Sequence, residues 1–273
     1  LAAFHRRWIR SDTAEIFAVG DTSIEELKAQ LEKRFIAWPM TRDLPGRKNF
    51  DTPPPAARPR IVLVDRPQSP QSLIYAGELL PGKGGDDLVD LLSANDILGG
   101  NFLSRINMDL RETKGWSYGV GSSIVRNEQS LAYVVAAPVQ ADKTGESIKA
   151  LREQMTAFLT DKGVTAEELQ RTVNGSIREL PGSFETSADV LGEMQRDVLF
   201  KRPFDYVEGL TGKYRSQTAA RLDEVARAVI DPASLIWVVV GDKNVVLPQL
   251  QGLGLPVEVV GGAATAPSAK AAK

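Results

Sequence analysis

The segment that most constrains this chain is LGGNFLSRINMDLRETKGWSYGVGS, residues 98–122. It opens on a Gly-Gly pair, which ends any helix that arrives from upstream. Apolar residues at spacings of three and four then predict a second helix, and Gly115 predicts a left-handed cap at its end. Arg111 is therefore expected on the last turn of that helix and Tyr118 just beyond the loop, where a strand begins. Glycines on both sides leave room for another backbone to come close.

Composition limits the kinds of protein that this chain can be. Its 273 residues are 42% apolar and 25% charged, enough for one sizeable core and part of a second. The net charge of -2 gives no indication of a nucleic-acid-binding surface. No apolar run approaches the length of a membrane span, and no signal-peptide pattern opens the chain at Leu1. We expect a fragment or a processed product.

The scarcity of metal-binding residue types excludes several chemistries. The chain has no cysteine, so disulfides, cysteine-ligated zinc and thiol catalysis are excluded. Its one histidine, His5, lies in FHRRW, and a zinc peptidase motif needs two histidines one helical turn apart with a glutamate between them. We therefore expect no metal ligand and no complete catalytic set in this chain, and we interpret His5 as a surface or packing residue.

Hydrophobic periodicity predicts an α+β fold. Segments with strand character and segments with helical periodicity alternate in a way that suits a mixed, mostly antiparallel sheet with helices packed on one face. Thr165 and Glu168 form a capping box for one of these helices. The predicted strands cover residues 14–19, 60–65, 71–79, 118–125, 131–139 and 235–240.

The two ends of the chain share one pattern. An apolar strand over residues 14–19 precedes a Gly-Asp pair and a helix over 24–35, and the strand over 235–240 is followed by the same pair and an apolar segment. This repeat suits duplicated domains, although strand, Gly-Asp and helix is also a common sequence by chance. The domain boundaries predicted on this basis are 1–40 for the end of a preceding domain, 41–59 for a proline-rich linker, 60–260 for a complete sibling domain and 261–273 for a disordered tail.

Residues 98–122, called the central segment below, resemble the C-terminal half of the M16 (pitrilysin/insulinase-like) zinc metallopeptidases. In that family two small residues precede a Ser-Arg-Leu sequence, followed by Leu-Arg-Glu, Lys-Gly and Tyr. The matching residues are Gly99-Gly100, Ser104-Arg105-Ile106, Leu110-Arg111-Glu112, Lys114-Gly115 and Tyr118. Trp116 departs from the pattern, because the family prefers a smaller apolar or hydroxyl residue there.

The resemblance implies a fold and a function. The fold is the M16 type (LuxS/MPP-like metallohydrolase), in which paired domains are joined by a linker like 41–59. The function is that of the zinc-free, substrate-binding half of a metalloendopeptidase, in which Arg111 and Tyr118 hold an extended peptide. Zinc and the catalytic base then come from a partner half, located upstream in the same polypeptide or in a separate subunit. This chain alone should be inactive.

Other interpretations stay open at this point. Arg111 could complement the helix dipole or pair with Glu112, and Tyr118 could be a strand residue that packs on Trp116. The whole chain could be an inactive structural or assembly subunit of M16 type, and the isolated chain could form a homodimer. The sequence leaves peptide specificity open, and leaves the compartment open between periplasm and cytoplasm.

Ser104 and Arg105 have the residue types of a nucleophile beside a base, but no suitable histidine or lysine partner accompanies them. We therefore expect Ser104 to bond within its own helix. Arg105 is expected to pair with Asp109 or Glu112, or to anchor the helix to the sheet.

Overall fold

The computed structural model describes residues 1–38, 43–50 and 57–261. The chain falls into two compact units, one made of Leu1–Pro55 with Arg178–Val207 and the other of Ala56–Ile177 with Glu208–Lys273. Residues 41, 42 and 51–56 of the predicted proline-rich linker and all of the predicted tail except Gly261 lie outside the described residues. Residues 178–207 belong to the first unit, although the sequence places them inside a 60–260 domain. The domain boundaries stay a prediction.

The larger unit is built on one six-stranded sheet with the order β3-β4-β2-β5-β1-β6. β1 pairs in parallel with β5 and β6, and the pairs β2–β5, β2–β4 and β3–β4 are antiparallel. The predicted mixed, mostly antiparallel α+β architecture is therefore confirmed. The strands are β1 Ile61–Asp65, β2 Gln71–Leu80, β3 Gly121–Asn127, β4 Ser130–Gln140, β5 Ile236–Gly241 and β6 Val257–Val260.

Strict alternation of side chains decides which face of the sheet is covered. In β4 every second residue from Leu131 to Val139 is buried, and β5 buries Trp237 and Val239 in the same way. These side chains form one core with apolar residues of the helices, such as Ile148 and Leu222. Burial of this continuous apolar face is what holds the helices to the sheet.

Seven helices accompany the sheet in this part of the chain. Helix α5 runs from Thr144 to Leu159, and Lys143 is at its N-cap position. The predicted capping box is also present, since Glu168 N–H donates to Thr165 Oγ1 (3.2 Å) and Thr165 N–H donates to Glu168 Oε2 (2.9 Å). The bounds are α3 Val89–Asn95, α4 Arg105–Asn107, α5 Thr144–Leu159, α6 Ala166–Glu179, α8 Tyr206–Arg215, α9 Ala219–Val229 and α10 Lys243–Leu250.

The smaller unit contains α1 Ala2–Trp8, α2 Ile24–Phe35 and α7 Ser187–Phe200. Ser23 caps α2 by accepting from Glu26 N–H at 3.2 Å, as the sequence suggests. Residues 14–19 form no strand, although one is predicted there. Their alternation fits a strand, but a strand needs a neighbour to pair with, and none of the described residues pairs with them.

No helix within residues 1–38, 43–50 and 57–261 is long and apolar enough to cross a membrane.

Candidate functional site

The central segment forms π-helical turns on either side of a short α-helix rather than one regular helix. π-helical turns cover Asp96–Gly100 and Met108–Thr113, and the short helix α4 lies between them. Gly115 has a φ of 65°, so the left-handed cap predicted for this position is confirmed. Single π-helical turns occur often at functional sites, because they redirect side chains away from the regular helical positions.

Close packing requires both glycines of the Gly-Gly pair, Gly99 against strand β3 and Gly100 against the preceding turn. A Cβ on Gly99 would lie 2.2 Å from Ser122 Oγ and 2.6 Å from Ile106 Cδ1. A Cβ on Gly100 would lie 2.3 Å from Asp96 Oδ1. The predicted close approach is therefore present, and it places the first helical turn directly against β3.

Asn107 fixes the loop that follows. Its buried side chain accepts from Val120 N–H at 2.9 Å and donates to the Phe102 carbonyl at 2.6 Å. Trp116 is held in the same way by the backbone, since its N–H donates to Leu110 and its carbonyl accepts from Gln140. Our sequence reasoning missed Asn107, because only a structure shows that its amide bridges two backbone segments.

Arg111 and Tyr118 line one open cavity of about 360 Å³. It lies where β2 begins at Gln71 and β4 ends at Gln140. Tyr118 is 87% exposed and precedes β3, which begins at Gly121. The predicted strand start at 118 is therefore wrong by three residues, because a loop continues there. The structure brings the two predicted side chains to the same cavity, whose lining residues are Gln71, Arg111, Glu112, Gly115, Trp116, Ser117, Tyr118 and Gln140.

The Arg111 guanidinium is held from two sides. Its Cζ lies 4.4 Å from the centre of the Phe102 ring, a cation–π distance, and its Nε lies 3.2 Å from Glu112 Oε1. The contact with Glu112 is the pairing that the sequence left open. Within the described residues, the two terminal amino groups of Arg111 have no hydrogen-bond acceptor, so its outer edge can accept a ligand.

Trp116 lies between two ammonium groups. Lys114 Nζ and Lys143 Nζ are each 5.6 Å from the centre of a Trp116 ring. Each lysine also has an acid partner, Asp109 at 2.5 Å for Lys114 and Glu146 at 2.7 Å for Lys143. The hydrogen bond to Glu146 raises the pKa of Lys143. The two positive charges beside Trp116 are thus balanced by carboxylates.

Arg105 and Ser104 do not have the partners predicted for them. Arg105 forms a bidentate pair with Glu168, with both N–O distances 2.7 Å, and donates to the backbone carbonyls of Lys162 and Gly163. The expected pairing with Asp109 or Glu112 and the expected anchoring to the sheet are both wrong, because the guanidinium points toward α6. Ser104 is fully buried and its Oγ has no hydrogen-bond partner in the described part of the chain, so its predicted helix bond is also wrong.

The side chains of this domain do not fit a zinc ion. Among the described residues no group of three or more His, Asp or Glu side chains is arranged to hold a metal. The single histidine, His5, lies in α1. No catalytic step through a metal is therefore derived for this chain.

The fold is that of solved M16 proteins. A crystal structure of a peptidase M16 inactive domain from Pseudomonas fluorescens matches with a TM-score of 0.69 and 22% identity, covering 82% of this chain and 52% of that chain. A protease from Helicobacter pylori matches with a TM-score of 0.73 and 18% identity, covering 87% of this chain and 57% of that one. At these identities the likeness establishes the fold.

Sequence comparison establishes the family. A family model described as the peptidase M16 inactive domain matches residues 1–176, and the chain therefore belongs to this family. The resemblance found in the central segment is confirmed: this is a zinc-free domain type of a zinc protease family. An uncharacterized zinc protease of Mycobacterium tuberculosis is 24% identical over 231 residues, which are 84% of this chain and 52% of the relative. The chain spans about half the length of this curated relative.

Proposed function

We propose that this chain is the substrate-binding, zinc-free half of an M16-type metalloendopeptidase. In this proposal Arg111 and Tyr118 grip an extended peptide, and a partner half supplies zinc and the catalytic base. The partner half is either upstream in the same polypeptide or a separate subunit. The observation that carries the proposal is that both side chains line one open cavity, and that the terminal amino groups of Arg111 and the Tyr118 hydroxyl have no hydrogen-bond partner among the described residues.

The chemistry of the two side chains suits a peptide backbone. Arg111 is charged at any physiological pH and offers parallel N–H donors that can bind one or two carbonyl oxygens. The Tyr118 hydroxyl can donate to a carbonyl or accept from an amide N–H. Because Tyr118 is almost fully exposed and Arg111 is held by Phe102 and Glu112, one residue can adjust to the peptide while the other is already positioned.

Membership of the family supports the proposal that this chain binds the peptide while a partner half supplies the zinc. The matching family is described as an inactive domain, longer relatives of which the chain covers about half are named zinc proteases, and the described residues of this chain hold no metal cluster. An incomplete enzyme half with a polar cavity is the simplest molecule that fits these three findings.

Reconstitution tests the proposal. The chain is combined with the zinc-bearing M16 half that is encoded upstream of it or in an adjacent reading frame, and cleavage of an unfolded fluorogenic peptide is measured. We expect Arg111→Ala and Tyr118→Phe to lower turnover about 10- to 100-fold, the range for a lost hydrogen bond to a charged or developing-charge group, with zinc content unchanged. Arg215→Ala and Tyr75→Phe are matched controls, since both side chains are exposed and do not line the cavity.

Turnover that is the same in all four variants would refute the assigned roles. A wild-type chain that binds the zinc-bearing half without any peptide cleavage would instead favour the structural or assembly subunit of M16 type.

We further propose that residues 1–40 complete a sibling domain whose beginning is encoded upstream. The comparison of the two similar ends supports this: β5 is paired on both sides and α10 buries Val246 and Leu250, whereas no residue of α2 is buried.

Hydrogen exchange provides the test. Amides of residues 14–19 should exchange quickly in this chain and slowly in the full-length protein, while those of β5 are protected in both. Slow exchange of 14–19 in the isolated chain would contradict this.

A further inference from the structure

We propose that Gln71 is a third peptide-binding residue, which pairs with one backbone amide of the bound peptide. This inference rests on the proposed function of the cavity. Gln71 is the first residue of β2, its side chain is exposed, and it lines the same cavity as Arg111 and Tyr118.

The hydrogen-bonding needs of a peptide motivate the proposal. An extended backbone presents carbonyl acceptors and N–H donors in equal number, and each unpaired group in a binding site weakens binding. Arg111 can only donate, so it can satisfy carbonyl oxygens but no peptide N–H. The Tyr118 hydroxyl can accept from one N–H, but a backbone segment presents several N–H groups, so a further acceptor in the cavity should add to binding.

Most polar side chains of the cavity are engaged by the domain itself. Ser117 Oγ contacts the carbonyls of Gly119 and Pro138 and accepts from Gly119 N–H. Gln140 Nε2 donates to the Gly115 carbonyl at 3.2 Å, and Glu112 contacts Arg111 at 3.2 Å. Each of these side chains therefore already makes a contact within the domain, which helps to fix its position in the cavity.

Gln71 differs from these side chains. Its backbone carbonyl accepts from Ser69 Oγ at 2.6 Å, but within the described ranges its side-chain amide has no hydrogen-bond partner. A primary amide carries one acceptor and two donors and matches a peptide group, which carries one of each. Its backbone is fixed by pairing with Gln140 in β4, so the amide starts from a rigid strand end.

The chemical class recognised is thus a secondary amide of an extended peptide, independent of the side chain that follows it. Arg111 binds carbonyl oxygens, Tyr118 can bind a carbonyl or an amide N–H, and Gln71 sets the register by pairing with one N–H and one carbonyl of the same backbone segment. A ligand that lacks this N–H should lose the contribution of Gln71 and keep that of the other two residues.

The test uses the ¹⁵N-labelled full chain and a blocked decapeptide of alternating Ala, Ser and Leu residues. A matched series replaces one peptide amide at a time by an ester, which removes the N–H. We expect the Gln71 side-chain NH₂ signals to shift on titration with the same Kd as the Arg111 Nε signal. Gln71→Ala should weaken binding about two- to ten-fold, the range for one neutral hydrogen-bonded contact. Gln170→Ala, an exposed glutamine on α6, should bind like the wild type.

The ester series separates the outcomes. One ester position should weaken binding to the wild type and leave binding to Gln71→Ala unchanged, which identifies the amide that Gln71 reads. If Gln71→Ala binds like the wild type while Arg111→Ala and Tyr118→Phe bind more weakly, the role of Gln71 is refuted and the proposed function stands. If neither Arg111→Ala nor Tyr118→Phe changes the affinity, or the wild type binds no peptide, both proposals are overturned.

Discussion

Replacing Arg105 by methionine should strongly destabilise the larger unit. Arg105 holds Glu168 through two 2.7 Å contacts, and the two side chains are only 16% and 15% exposed. Its guanidinium also binds the Gly163 carbonyl at 2.8 Å and lies 4.9 Å from the centre of the Phe158 ring. Methionine keeps much of the volume but leaves the Glu168 carboxylate in its pocket without a cation.

The magnitude follows from the burial of the pair. Removing one partner of a buried ion pair costs about 3–5 kcal/mol, and the residual solvent contact here favours the lower end, about 3 kcal/mol. For a domain of this size each kcal/mol lowers the melting temperature by about 2–4 °C. We therefore expect Arg105→Met to melt about 6–12 °C below the wild type.

The pH dependence gives a second, independent signature. Burial acts to raise the pKa of Glu168, but hydrogen bonds from Arg105 and Thr165 more than offset it, so the pKa is lowered. A carboxyl with a lowered pKa stabilises the fold above its unfolded pKa, about 4.3, and this contribution is lost as the pH falls through the folded value. Without Arg105 the contribution disappears, so the deficit of the variant should be largest at neutral pH and shrink in acid.

Thermal unfolding followed by circular dichroism between pH 3.5 and pH 7.5 measures both effects. Arg221→Met is the matched control, because the pairs that Arg221 forms with Asp90 and Glu224 lie at the surface, where solvent screening leaves ion pairs with little effect on stability. The reasoning is refuted if Arg105→Met loses no more stability than this control. It is also refuted if adding Glu168→Gln to Arg105→Met restores none of the lost stability.

Three further predictions concern single side chains. Phe102→Leu should weaken peptide binding about two- to five-fold in a fluorescence titration, because it removes an exposed cation–π contact of Arg111, and Phe102→Tyr should restore it. Gly99→Ala should cost about 1–3 kcal/mol in urea unfolding, since its Cβ would meet Ser122, and an unchanged midpoint would contradict the packing described. Burial raises the pKa of Glu78 to about 7, so this residue favours the fold below about pH 4.3 and loses that contribution as the pH rises toward 7. Glu78→Gln should therefore flatten the decline of the melting temperature over this range, and an equally steep decline would rule out this origin.

The features that follow from local periodicity could be predicted from the sequence. Alternating burial in β4 and the capping box at Thr165 depend on neighbours a few positions away, and both are present. The cap at Gly115 is equally local. That Arg111 and Tyr118 line the same cavity is a different case. Periodicity does not predict it, and the expectation comes from the resemblance of the central segment to the M16 motif.

The wrong predictions concern contacts between residues that are far apart in the sequence. Local spacing predicts an ion pair between Arg105 and an acidic residue one or two helical turns away. The observed partner, Glu168, is 63 positions away. Asp109 pairs instead with Lys114, with 2.5 Å between Oδ1 and Nζ. Residues 14–19 have the sequence pattern of a strand, but they form none, because no strand among the described residues pairs with them. Contacts of this kind carry no local signal, so a single sequence cannot reveal them.

The position of β5 has a consequence for synthesis of the chain on the ribosome. β5 separates β1 from β2, so the sheet consists of two unconnected parts until residues 236–241 have emerged. During that interval a nascent molecule exposes unpaired backbone along both strands, where another nascent chain can add a strand of its own. Chains that terminate before Ile236 should accordingly aggregate, even though they already carry the whole central segment.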